Sequence, residues 1–201
     1  MPAPERISSV CLFCGSSNAA RPEFIEAAAD FGRILAAEGV KLVYGGGGIG
    51  LMGASAKGCH EAGGEVFGVM PDFLRKREVL YDVVETRVVT SMHERKTIMY
   101  DASDAFVVMP GGVGTLEEVV EVMSWRRLDL HHKPIVFVNL DGFWDPFVAL
   151  IRQTVDEKFT PPWVPDTFRV VDRIEDILPT CRGMLETGDA SVVDGPEKEL
   201  L

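Results

Sequence analysis

A chain of 201 residues, with 46% apolar and 25% charged side chains, has the size and composition of one globular domain that can bury a full core without disulfides or structural metal. Its formal net charge of -11 excludes a protein built to grip the backbone of DNA or RNA, because no Lys/Arg cluster offsets the repulsion. No stretch approaches the roughly 18 consecutive apolar residues of a membrane span, and no long apolar segment follows Met1–Arg6, so a cytoplasmic protein without membrane contact is expected.

In chain order, the first predicted strand is Ile7–Phe13, a nearly continuous apolar run. It carries Cys11, and Cys14 follows at CxxC spacing. That spacing suits a redox pair or half a zinc site, but no second CxxC or His pair completes four ligands, and Cys59 and Cys181 are remote. Buried or semi-buried free thiols are expected. Phe24, Ala28, Phe31 and Leu35 then recur at helical spacing, with Pro22 suited to the first turn and Gly39 to the end. Lys41–Tyr44 is the second strand. Directly after it, Gly45-Gly46-Gly47-Gly48-Ile49-Gly50 formally satisfies GxGxxG and opens a helix containing Met52, Ala56 and Cys59. Four consecutive glycines match many patterns, and neither Glu65 nor Asp72 stands out as a ribose ligand. A turn allowing close backbone approach explains this loop as well as a nicotinamide site does.

Val66–Met70 and Thr86–Thr90 are the next strands, with a polar excursion at Lys76–Asp82 between them. Ser91-Met92-His93-Glu94-Arg95-Lys96 begins a helix, and Ser91 and Glu94 fit a capping box. Cations near a helix N-terminus gain nothing from the dipole, so Arg95 and Lys96 are either a solvated face or an anion site. The strand Ala105–Met109 feeds Pro110-Gly111-Gly112-Val113-Gly114-Thr115-Leu116-Glu117-Glu118, a second glycine loop opening an amphipathic helix. Exposed amides and the dipole of that helix suit a phosphate. Thr115 and Glu118 also have capping-box spacing, which leaves a local structural role for the glutamate open. Met92, Met99 and Met123 read as core rather than ligands, and His60, His93, His131 and His132 form no metal spacing with carboxylates, so no metal is assigned.

Strands Ile135–Val138 and Phe168–Val171 follow, with helical patterns at Phe147, Leu150, Ile151 and Val155 and at Ile174, Ile177, Leu178 and Cys181. The alternation predicts an α/β fold: a doubly wound parallel sheet with helices on both faces, in a single domain over 1–186. Ligands belong at the carboxyl ends of its strands. Residues 187–201, rich in Gly, Pro and acidic side chains, read as a flexible C-terminal tail.

Four segments carry a resemblance to a known family: Cys14-Gly15-Ser16-Ser17; Tyr44-Gly45-Gly46-Gly47 with Gly50-Leu51-Met52-Gly53; Met92-His93-Glu94-Arg95-Lys96; and, above all, PGGxGTxxE from Pro110 to Glu118. Together they resemble the LONELY GUY (LOG) cytokinin riboside 5'-monophosphate phosphoribohydrolases, often labelled lysine decarboxylase-like. The resemblance spans Val10 to Leu185. It implies a Rossmann-like fold, a homodimer, no cofactor, and hydrolysis of the N-glycosidic bond of a nucleoside 5'-monophosphate, giving free base and ribose 5-phosphate. By the same likeness Arg95 and Glu118 are the catalytic pair, and Lys96, Gly111, Gly112, Val113, Gly114 and Thr115 hold the nucleotide. Glu78 and Ser124 would contact substrate, and Ser17, Gly46 and Gly47 would contribute glycine-loop contacts. The decarboxylase label gains no support, since no Schiff-base lysine or pyridoxal slot is identifiable. A non-catalytic nucleotide-binding or carrier protein of the same fold is the alternative.

Overall fold

Seven short strands, most of them apolar runs, pair into one parallel sheet: β1 (Ser9–Phe13), β2 (Lys41–Tyr44), β3 (Val66–Pro71), β4 (Glu85–Val89), β5 (Ala105–Val108), β6 (Ile135–Val138) and β7 (Arg169–Val171). The computed structural model describes residues 6–75 and 79–187. Strand order is β4-β3-β2-β1-β5-β6-β7. All seven predicted strands are present, with edges shifted by local competition for hydrogen bonds. Ser8 falls outside β1 because its amide and hydroxyl both donate to Asp104 Oδ2, at 2.8 and 2.6 Å. Thr90 leaves β4 because its amide donates to Glu94 Oε2 at 2.9 Å.

Helices cover both faces. α1 (Pro22–Ala37), α2 (Gly50–Glu61) and α7 (Ile177–Glu186) pack on one cluster of buried side chains. α4 (Met92–Asp101), α5 (Val113–Arg127) and α6 (Asp145–Asp156) pack on the other, and the single turn α3 (Asp72–Arg75) follows β3. The Pro22 and Gly39 signals hold in detail. Pro22 opens α1, and Gly39 at φ +63° closes it in a Schellman arrangement, with Val40 N donating to Leu35 O and Gly39 N to Ala36 O. Because side chains alternate along a strand, Cys11 faces the α4–α5–α6 layer and Cys14 the opposite one. The CxxC pair is therefore no dithiol; all four cysteines are free and buried, and burial pushes the Cys11 thiol well up.

The chain winds from β1 outward to β4, then returns to place β5 on the other side of β1. This reversal leaves the crevice between the loops after β1 and β5 that such folds use for ligands. The two loops are joined there, with Gly15 N donating to Pro110 O at 3.0 Å. Of the polar excursion, Lys76–Glu78 lies outside the described residues. Val79 and Leu80 rest on the first glycine loop, through an antiparallel bridge from Leu80 to Gly47 and a bond from Gly48 N to Val79 O. Positions 188–201 of the expected tail also lie outside the described residues.

α1 and α2 touch backbone to backbone. A Cβ on Gly32 would sit 2.2 Å from Ser55 O, and one on Gly58 2.2 Å from Ala29 O. Overpacking of this kind costs about 1–3 kcal/mol. Gly32→Ala should therefore lower the unfolding free energy by that margin, seen as a lower urea midpoint with unchanged slope by far-UV circular dichroism.

Candidate active site at the carboxyl ends of the strands

The loop after β5 turns into α5 with Gly112 as its N-cap, in an extended conformation and without a side-chain cap. Val113, Gly114 and Thr115 are thus the first helical residues, whose amides lack acceptors within the helix, at the positive end of the dipole. A Cβ on Gly112 or Gly114 would meet nothing within 4 Å, so the space before these amides is open. Gly111 is different: its Cβ would lie 2.1 Å from Thr115 Oγ1, so only glycine lets the buried threonine close the turn. The capping-box reading of Thr115 and Glu118 does not hold. Thr115 is the third helical residue rather than the cap, and Glu118 sits deeper in α5 with its side chain turned inward, 6% exposed.

Arg95 meets that carboxylate. The start of α4 is fixed by Ser91 Oγ, which accepts from Glu94 N at 3.1 Å. Glu94 reaches back to Thr90 rather than Ser91, accepting from its amide and its hydroxyl at 2.9 Å each, and these bonds, the backbone one foremost, hold its carboxyl below the usual range. The capping box therefore closes one residue early. One turn of helix set this way aims Arg95 inward, 5% exposed, which removes the solvated-face reading for it.

The guanidinium of Arg95 occupies a specific gap. The register of β2 and β3 ends at Tyr44↔Gly68, and the next pair would be Gly45 and Val69. Arg95 Nη2 donates to Gly45 O and Nε to Val69 O, both at 3.2 Å. The side chain thus takes over the carbonyls of both strands where their ladder stops. A Cβ on Gly45 would lie 1.9 Å from Nη2, which explains this first glycine of the run by close approach. Nη1 remains directed at Glu118, 3.7 Å from Oε1, and the Met92 sulfur lies 3.9 Å from it. Both charged side chains are almost fully buried, so each depends on the other: removing one partner of such a pair typically costs about 3–5 kcal/mol.

The other expected site residues are distributed around this pair. Gly46, at φ +82°, and Gly47, bridged to Leu80, line the turn after β2. Ser17, exposed after β1, lies against the start of α2, where a Cβ on Gly50 would be 2.5 Å from its amide. Ser124 is exposed nearly two turns beyond Glu118, its hydroxyl donating to Val120 O at 2.7 Å, and is not brought to the pair. Glu78 lies outside the described residues. Lys96 sits between Glu117 and Glu121 of α5, with Nζ at 2.5 and 3.0 Å. Met99 and Met123 are core, whereas Met92, expected there too, is only partly buried with its sulfur beside Arg95; His131 is a buried core histidine, its Nε2 2.8 Å from Val122 O, its pKa pulled down to about 4 chiefly by burial. Among the described residues, no group of three or more His, Cys, Asp and Glu side chains is placed to hold a metal. Sequence reasoning missed the carbonyls of Gly45 and Val69 and the carboxylates of Glu117 and Glu121. The first two have no side-chain signal, whereas Glu117 lay in view inside the glycine-loop motif.

A family model described as "Possible lysine decarboxylase" matches residues 52–181. The chain is 45% identical over 182 residues to a protein of Oryza sativa subsp. japonica named "Probable cytokinin riboside 5'-monophosphate phosphoribohydrolase LOGL9", covering 87% of this chain and 80% of that one. It is 38% identical over 182 residues to the cytokinin riboside 5'-monophosphate phosphoribohydrolase LOG7 of Arabidopsis thaliana, covering 87% and 84%. Among solved structures, the molybdenum cofactor carrier protein of Chlamydomonas reinhardtii superposes with a TM-score of 0.69 at 21% identity, over 90% of this chain and 99% of that one, a likeness of fold alone. With the open amides of α5 and the Arg95–Glu118 pair in the motif positions, and relatives matched over most of its length, this chain belongs to the LOG-type family.

Proposed function

We propose that this protein hydrolyses the N-glycosidic bond of adenosine 5'-monophosphate or its N6-modified forms, releasing the free base, adenine or a cytokinin, and ribose 5-phosphate. The observation that carries the reading is a buried carboxylate, Glu118, held against Arg95 on the helix whose first amides face open space. Names of relatives at 38–45% identity support a hydrolase, whereas the carrier reading has only a 21% likeness of fold behind it.

The chemistry follows from charge. As the bond between C1' and the base nitrogen breaks, its electron pair leaves with the base and positive charge grows on the sugar. Glu118 faces that charge and accepts the proton of the attacking water, whose oxygen bonds to C1', while the departing base takes up a proton. The phosphate sits on the amides of Gly112 to Thr115, and Arg95 binds phosphate or sugar oxygen and fixes C1' near Glu118. Its planar fork, already set by two carbonyls, is what a lysine would lack. No cofactor enters this scheme.

We further propose a homodimer. α5 and its C-cap expose Val113, Val120 and Leu128 on one face, with relative accessibilities of 83%, 46% and 46%, and Ser124 lies on the same stripe. An apolar stripe of this kind on an otherwise charged surface suits a second copy of the chain. Val120→Glu should halve the mass found by sedimentation without unfolding the protomer; an unchanged mass places the contact elsewhere.

Purified protein is expected to release base and ribose 5-phosphate from adenosine 5'-monophosphate, and to act on adenosine at least about 100-fold less efficiently, because the nucleoside lacks the anchored phosphate. Equal efficiencies would refute the phosphate anchor, and tight binding without base release would favour the carrier. Glu118→Gln should lose about 100-fold or more in kcat, the usual scale for a positioned acid or base, while keeping its circular dichroism spectrum.

A further inference from the structure

Lys96 follows Arg95 on α4, and its ammonium is placed between two carboxylates of α5: Nζ lies 2.5 Å from Glu117 Oε1 and 3.0 Å from Glu121 Oε2. Its side chain is only 12% exposed. Burial alone would pull the lysine down, but its hydrogen bonds to Glu117 and Glu121 outweigh that and leave it above the ordinary lysine range, fully charged at neutral pH. Glu117 and Glu121 stand four residues apart and so share one ridge of the helix, which lets a single ammonium reach both. Two carboxylates around one ammonium leave the cluster net negative. A phosphate approaching it would have to displace a carboxylate and face the other.

We propose that Lys96 is a positioning residue: it clasps α4 to α5 and so holds Arg95 against Glu118. The need for such a clasp is geometric. Arg95 is fixed to the ends of β2 and β3, whereas Glu118 rides on α5, which follows β5 beyond β1 in the sheet. α4 itself lies mainly against β3 and β4. The 3.7 Å separation of the pair therefore joins two elements anchored on different strands, and the adjacent residues Arg95–Lys96 meet the adjacent residues Glu117–Glu118. The clasp sets the distance on which the proposed hydrolysis depends, so its catalytic consequence rests on that reading, while the coupling of the two helices does not.

The test compares Lys96→Met, Lys96→Arg, the double variant Glu117→Gln/Glu121→Gln, and the combination of Lys96→Met with that pair, each assayed with adenosine 5'-monophosphate and followed through thermal unfolding. For a clasp, Lys96→Met lowers kcat about 10- to 100-fold with KM changed less than about threefold, the scale expected when a reacting group is misplaced by an ångström or less. The double variant keeps Lys96 yet falls by a similar factor, and the combination falls no further. Lys96→Arg, which still reaches both carboxylates, recovers most of the turnover. The melting shifts are likewise non-additive. If instead Lys96→Met raises KM with kcat intact while the double variant leaves KM unchanged or lower, Lys96 binds phosphate and the clasp is refuted. Wild-type protein that binds the monophosphate but releases no base would refute the hydrolase reading alone. Additive melting shifts would then refute the clasp, and non-additive ones would sustain it.

Discussion

The site depends on one side chain taking over where a strand ladder ends. β2 stops at Tyr44 and the chain turns away through glycine, leaving the carbonyls of Gly45 and Val69 at the carboxyl edge with no partner strand between them. An arginine is suited to that gap, since its fork donates to both carbonyls and still presents a third nitrogen to Glu118. Lysine, with a single nitrogen on a flexible stem, could not hold the two strand ends at fixed spacing while also facing the carboxylate. The glycine at position 45 follows from the same contact, because any Cβ there would occupy the place of Nη2. Strand length, glycine and arginine are thus one constraint expressed at three positions.

Doubly wound topology brings the second half of the site to the first. β5 lies beside β1 only because the winding reverses after β4, and the Gly15–Pro110 bond locks the two loops at that reversal. The glycine loop before α5 consequently opens above the middle of the sheet rather than at its rim. An acidic chain can still attract an anion there, because the field is local: amides and the helix dipole act at contact distance, while surface carboxylates are screened over about 8–10 Å at physiological salt.

Much of this was legible in the sequence, and the losses have physical causes. Strands buried on both faces advertise themselves as continuous apolar runs, as β1, β3, β5 and β6 do, whereas the edge strands β4 and β7 show only short Val-rich stretches; the Pro22 and Gly39 signals depend only on local backbone preferences. Thr115 and Glu118 left a local capping role open because capping-box spacing cannot say which residue is the cap; Gly112, with no side chain, took that place. The proximity of Arg95 to Glu118 could be inferred only through likeness to a family, since residues on successive helices meet according to the winding of the sheet. The partners of Lys96 were hidden for the same reason. Backbone acceptors such as Val69 O leave no trace in residue type at all, so the clamp on Arg95 was beyond any pattern of side chains.

A buried ion pair is weak evidence of stability, because desolvating both groups consumes most of what their attraction supplies, and apolar side chains of similar volume often serve the fold as well or better. Most of this sheet follows that rule: aliphatic, aromatic and thiol side chains dominate both of its faces, with Arg126, His131 and Lys133 among the few other buried groups that can carry charge. Arg95 and Glu118 break it at the carboxyl edge, beside open amides and a glycine loop shaped around the guanidinium. A fold selected only for stability would have closed that edge with an apolar contact. Keeping two charges there gives the sheet a rigid, dry carboxylate whose negative charge is balanced rather than quenched, which is the condition a cationic transition state requires of its partner.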